Sequence, residues 1–186
     1  MRITFSTVLT LLRIVFIPFI AYAMVQRWWI LALILFTIGA LTDALDGYLA
    51  RKWNDETTLG AYLDPLADKL LVISCYGALV FSPVDGLHIP TWFLAIVFAK
   101  EVALLAGALY WGILKHEVEV KPSWLGKAAM AFQSVLIGWV ILCSIFHWVP
   151  VKTFYGVLAA ALLLVIGSLV QYTYSFLYEN EQHVEK

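Results

Sequence analysis

Six apolar runs follow one another along the 186 residues, near Thr7 to Val25, Trp29 to Ala50, Leu59 to Phe81, Pro90 to Leu114, Trp124 to Phe146 and Thr153 to Tyr178. Each is close to the roughly 20 residues that a helix needs to cross the hydrocarbon of a bilayer. The breaks between them are short, and the largest, Lys115 to Ser123, is too small for a separate domain. Hydrophobic residues make up 62% of the chain and charged residues 13%, against about 25% charged in a soluble domain. The expectation is an all-α integral membrane protein: one domain over residues 1–186, built as a bundle of six transmembrane helices.

The basic residues orient the bundle. With the N-terminus in the cytoplasm, the inner segments hold Arg2, Arg51, Lys52, Lys115, Lys121 and Lys186, and the outer ones only Arg27 and Lys152. Both termini are therefore expected on the cytoplasmic side. Trp28, Trp29, Trp53, Trp92, Trp111, Trp124 and Trp148 fall near span ends, where amphipathic rings favour the headgroup level. Ala21-Tyr22-Ala23 resembles a signal-peptidase site, but Arg13 and Pro18 interrupt the apolar region such a peptide requires, so the first run is read as a span. The formal net charge of −1 gives no basis for nucleic-acid binding. Cys75 and Cys143 lie deep in different runs and read as small core hydrophobes, not as a disulfide.

Carboxylates interrupt two of the runs. Asp43, Asp46, Gly47 and Ala50 follow an i, i+3, i+4, i+7 spacing and so share one face of the second helix. Gly60, Asp64 and Asp68 repeat the arrangement at i, i+4, i+8 near the start of the third. The intervening loop is short, so the two helices form an antiparallel hairpin whose cytoplasmic ends bring four carboxylates together. Pro65 leaves two local structures open: Asp64 caps a helix that begins at Pro65, or the helix is kinked there. A single aspartate at a span end is commonly a cap, a solvated group or a partner of Arg51, Lys52 or Lys69. Four on matching faces cannot all be caps, and unshielded they would repel in a low dielectric. One or two divalent cations relieve that repulsion, and all-oxygen ligation suits magnesium, manganese or calcium. His88, His116, His147 and His183 show no ligand spacing.

The segment Asp43-Ala44-Leu45-Asp46-Gly47-Tyr48-Leu49-Ala50-Arg51, continued by Gly60, Asp64 and Asp68, resembles the signature of the CDP-alcohol phosphatidyltransferases, with no position departing from it. Chain length and the six-span pattern extend the resemblance over nearly the whole sequence. It implies transfer of a phosphatidyl group from CDP-diacylglycerol to an alcohol, with release of CMP. It also implies a centre of two Mg2+ or Mn2+ ions held by Asp43, Asp46, Asp64 and Asp68, a CDP site at Gly47, Ala50, Arg51 and Gly60, and Asp68 as the catalytic base. The active site would then lie at the cytoplasmic ends of the second and third helices. The family further suggests a homodimer in the bacterial inner membrane.

The acceptor is less legible. Lys100 and Glu101 form an ionisable pair inside the fourth run, where such residues face a cavity or a partner helix rather than lipid. With Lys127 and Arg13, Lys100 could line a cationic pocket for a phosphorylated acceptor. Thr7 to Arg13 and Ser123 to Lys127 resemble the branch of the family that uses glycerol 3-phosphate. That branch, however, commonly carries Arg where this chain has Lys100 and Ala108, and Lys and Thr where it has Ala129 and Met130. Lys100 to Tyr110, with Lys121-Pro122, resembles the branch that uses phosphatidylglycerol. A transporter is the reading from another class, and it requires polar residues spread through the bilayer depth. Here the carboxylates cluster at one end, and no internal repeat is present.

Overall fold

The computed structural model describes the backbone of residues 5–53, 58–84, 86–114 and 124–184, and the side chains of residues 8–42, 63, 65–84, 86–107 and 124–174. Six helices fill these stretches: α1 Phe5–Val25, α2 Trp29–Trp53, α3 Thr58–Phe81, α4 Thr91–Leu114, α5 Trp124–Ile145 and α6 Val151–Val184. Each coincides with one apolar run, and a helix satisfies the backbone N–H and C=O groups of such a run within the segment itself. Two helices outlast their runs. α2 continues through Arg51 and Lys52 to Trp53, and α6 continues past Tyr178 to Val184.

Among the described residues, three stretches are long and apolar enough to cross a membrane: Val8–Val25, Trp124–Ile145 and Val151–Tyr174. Trp29–Thr42 is a shorter apolar stretch. The chain is that of an integral membrane protein.

The molecule divides into two compact units, one of residues 1–89 and 137–149, the other of residues 90–136 and 150–186. In the first unit α1 packs against both α2 and α3. Its buried face is Thr10, Arg13, Ile17, Ile20, Ala23 and Met24, the i, i+3, i+7 pattern of one helical stripe. Val8, Leu11, Leu12, Val15, Phe19 and Tyr22 occupy the opposite face and are exposed. That much apolar surface would be a liability in water and is ordinary solvation in lipid. α3 answers with Ala67, Leu71, Val72, Cys75, Tyr76 and Leu79, all buried. A Cβ placed on Gly138, in the second half of α5, would lie 3.7 Å from the Phe36 ring of α2.

α1 and α3 run side by side in the same direction. Arg13 reaches Asp68 at one level, and at the far end the Ser82 hydroxyl donates to the Val25 carbonyl at 3.2 Å. The short turn after Val25 makes α2 antiparallel to both. In the second unit α4 packs on α6, and Phe93, Val97, Lys100 and Glu101 of α4 and Phe154, Leu158, Ala161, Val165 and Ser168 of α6 are buried. Both cysteines are buried and free.

Candidate active site

Arg13 sits on the inward stripe of α1, so its side chain must enter the packed interior of the first unit. An unpaired guanidinium there would be costly. It is met by Asp68, which flanks the buried Ala67 and Leu71 on α3. Arg13 Nη1 donates to Asp68 Oδ1 at 2.6 Å, with the arginine side chain 0% exposed and the aspartate 30% exposed. The carboxylate is therefore held by the cation on its protein side while remaining partly exposed.

α3 is continuous from Thr58 through Pro65 to Phe81. Asp64 is accordingly a residue within the helix, and the alternative in which it caps a helix starting at Pro65 does not hold. Proline loses one ladder hydrogen bond, but the following turns supply the rest. Continuous helical backbone also places Asp64 and Asp68 one turn apart, and keeps Asp43, Asp46, Gly47 and Ala50 of α2 on one face. The side chains of Asp43, Asp46, Gly47, Ala50, Arg51, Gly60 and Asp64 lie outside the described residues. Among those that are described, no group of three or more His, Cys, Asp or Glu side chains comes together.

The three basic residues expected near the acceptor have different surroundings. Arg13 belongs to the first unit and holds Asp68. Lys100 and Lys127 belong to the second. Lys100 Nζ lies 2.6 Å from Glu101 Oε1, with side chains 2% and 4% exposed. Both are buried because they continue the stripe of Phe93 and Val97 on α4. Its neighbour thus already balances the lysine's charge. Lys127, in the first turns of α5, is exposed.

The pairing of Arg13 with Asp68 was not legible in the sequence, since the register between two helices leaves no local signal. Gln133, the lone amide in its apolar run, is fully buried on α5.

Carboxylates offer only oxygen, the donor that a hard divalent cation prefers, and the α2 and α3 backbones carry two of them each at helical spacing.

Residues 3–177 match the CDP-alcohol phosphatidyltransferase family. The chain belongs to that family and is an enzyme of its transferase type. It is 33% identical over 183 residues to the CDP-diacylglycerol–glycerol-3-phosphate 3-phosphatidyltransferase of Escherichia coli strain K12, covering 92% of this chain and 94% of that protein. The enzyme of the same name from Salmonella typhimurium is 32% identical over the same shares.

Proposed function

We propose that this enzyme transfers the phosphatidyl group of CDP-diacylglycerol to glycerol 3-phosphate, forming phosphatidylglycerophosphate and CMP. The observation that carries this is the likeness to glycerol-3-phosphate transferases over 92% of the chain. Phosphatidylglycerol as acceptor is not favoured, since the similar proteins are named for glycerol 3-phosphate.

Asp43, Asp46, Asp64 and Asp68 would hold two Mg2+ or Mn2+ ions. Such ions, when bound, offset the negative charge of the diphosphate and of the departing CMP. Gly47, Ala50 and Gly60 keep the helix faces low, so that the nucleotide and diphosphate approach the backbone closely, and Arg51 supplies a cation to the same group. Asp68 takes the proton from the acceptor hydroxyl as its oxygen forms a bond to the phosphatidyl phosphorus and the bond from that phosphorus to CMP breaks. Arg13 keeps the Asp68 carboxylate in one orientation, which spares the transition state the cost of ordering it. Lys127 draws the acceptor phosphate. Lys100 serves the same phosphate only by sharing its charge with Glu101.

All six helices span the bilayer in this reading, with both termini and the aspartate ends of α2 and α3 on the cytoplasmic face. The basic residues concentrated there support that orientation. The function is tested by giving the purified protein CDP-diacylglycerol and magnesium, offering glycerol 3-phosphate and phosphatidylglycerol separately, and identifying the lipid formed. Phosphatidylglycerophosphate from the first mixture alone is expected. Cardiolipin from the second would transfer the enzyme to the other branch.

A further inference from the structure

The end of the first unit away from Asp68 holds a cavity of about 910 Å3. The turn between α1 and α2 contributes Arg27 and Trp28, the first turns of α2 contribute Ile30 and Ile34, and the region ending α5 contributes Ser144 and His147. At 1.5 Å per residue, Val25 stands roughly 18 Å along α1 from Arg13. The cavity is therefore separate from the aspartates and unused by the transfer reaction. Its apolar wall is open, with Trp28 54% and Ile34 51% exposed.

Two backbone conformations single this cavity out. Arg27 has φ 59° and His147 has φ 51°, and among the described residues no other non-glycine has a positive φ. Both follow helix ends closed in the same way: Trp28 N–H donates to the Ala23 carbonyl at 2.8 Å, and Trp148 N–H to the Cys143 carbonyl at 3.0 Å. Glycine is the ordinary residue at that left-handed position. Any other L-residue there costs on the order of 1–2 kcal/mol. A basic side chain in the last helical turn would complement the helix dipole without that strain. Instead, both helix ends place a basic side chain at the strained position, and both side chains line the same cavity. The Arg27 guanidinium is steadied by the Pro83 carbonyl, with Nη2 to oxygen at 3.4 Å.

We propose that this cavity is a binding site for an anionic phospholipid of the surrounding bilayer. The phosphodiester sits at Arg27 and His147, where a guanidinium and an imidazole donate to its oxygens. One acyl chain lies along Ile30 and Ile34, and the Trp28 indole is level with the glycerol region, the depth such rings favour. Charge complementarity selects the anionic headgroup, and the exposed apolar wall selects a lipid over a free phosphate.

The test uses the full chain in detergent micelles and follows tryptophan quenching by phosphatidylglycerol brominated on its acyl chains, with brominated phosphatidylcholine as the zwitterionic comparison. Asparagine tolerates a positive φ, so Arg27→Asn with His147→Asn removes the guanidinium and the imidazole while keeping both turns. Half-maximal quenching of the parent is expected at a lipid fraction roughly tenfold lower for phosphatidylglycerol, the scale of one charge-assisted hydrogen bond. The double variant should lose that preference and keep the parent's rate of CMP release. Arg27→Asn alone, which takes the guanidinium and leaves the second turn untouched, should weaken the same preference if the double variant does not fold. Equal quenching by the two lipids in the parent, or a preference that survives both sets of changes, would overturn the assignment and leave ordinary lipid contact with an apolar groove.

Discussion

Arg13 on α1 and Asp68 on α3 meet at 2.6 Å, a fully buried guanidinium against a half-exposed carboxylate. The pair does two things at once: it ties neighbouring parallel helices at one level, and it fixes the carboxylate assigned as the base. Arg13→Met keeps most of the volume and removes the cation. Expected is a fall in kcat of about tenfold or more, with a smaller change in KM for glycerol 3-phosphate, and partial recovery in Arg13→Lys. The structural cost should be modest, about 1–3 kcal/mol, since Asp68 can turn toward solvent. A rise in KM with kcat intact would instead place Arg13 in the acceptor pocket.

Asp68→Asn preserves shape and removes the proton acceptor. Turnover should vanish while the protein stays monodisperse in detergent, with a lesser loss of CDP-diacylglycerol affinity. Near-normal turnover would show that Asp68 is neither base nor essential ligand.

The apolar run lengths made all six helices legible, because each run is about 20 residues long and bounded by polar or turn-forming breaks. The ends were less so. α2 outlasts its apolar run through Arg51 and Lys52 because a helical ladder does not require apolar side chains once nucleated. Asp64 was ambiguous for a reason local to Pro65, whose effect on the preceding residue depends on packing that a single sequence does not contain. The carboxylate motif was legible because spacing on one helix is a matter of geometry alone. The partner of Asp68 was not, because it lies 55 residues away on another helix. The positive φ at Arg27 and His147 likewise had no sequence marker, since neither residue is the glycine that usually announces such a turn.

Gly47 shares a face of α2 with Asp43, Asp46 and Ala50. Gly47→Leu places an isobutyl group where the diphosphate is to approach, so weaker CDP-diacylglycerol binding is expected in an equilibrium assay. Unchanged donor binding with a lower unfolding temperature would assign the glycine to helix packing.

Lys100 and Glu101 neutralise each other out of contact with solvent. Lys100→Met removes the cation beside a buried carboxylate, a change that costs up to ~3–5 kcal/mol, whereas Lys100→Met with Glu101→Gln should recover most of the loss. Thermal unfolding of the three proteins in one detergent measures this. Equal stability of the single and double variants would mean that Glu101 has other adequate support.

Lys127 is exposed and has no carboxylate to satisfy among the ion pairs described. Lys127→Ala should raise the apparent KM for glycerol 3-phosphate roughly ten- to hundredfold, the loss of one charge-assisted hydrogen bond, and change the donor constant less. Unaltered KM would remove this lysine from the acceptor site and leave the reaction itself in place.

Metal-dependent transfer to glycerol 3-phosphate is tested most directly by measuring CMP release and acceptor incorporation together, before and after chelation. CMP and phosphatidylglycerophosphate are expected in equal amounts, to cease in excess chelator, and to return when magnesium or manganese is restored. Full turnover in excess chelator would contradict a centre built on Asp43, Asp46, Asp64 and Asp68, and CMP release that does not depend on glycerol 3-phosphate would contradict the transfer.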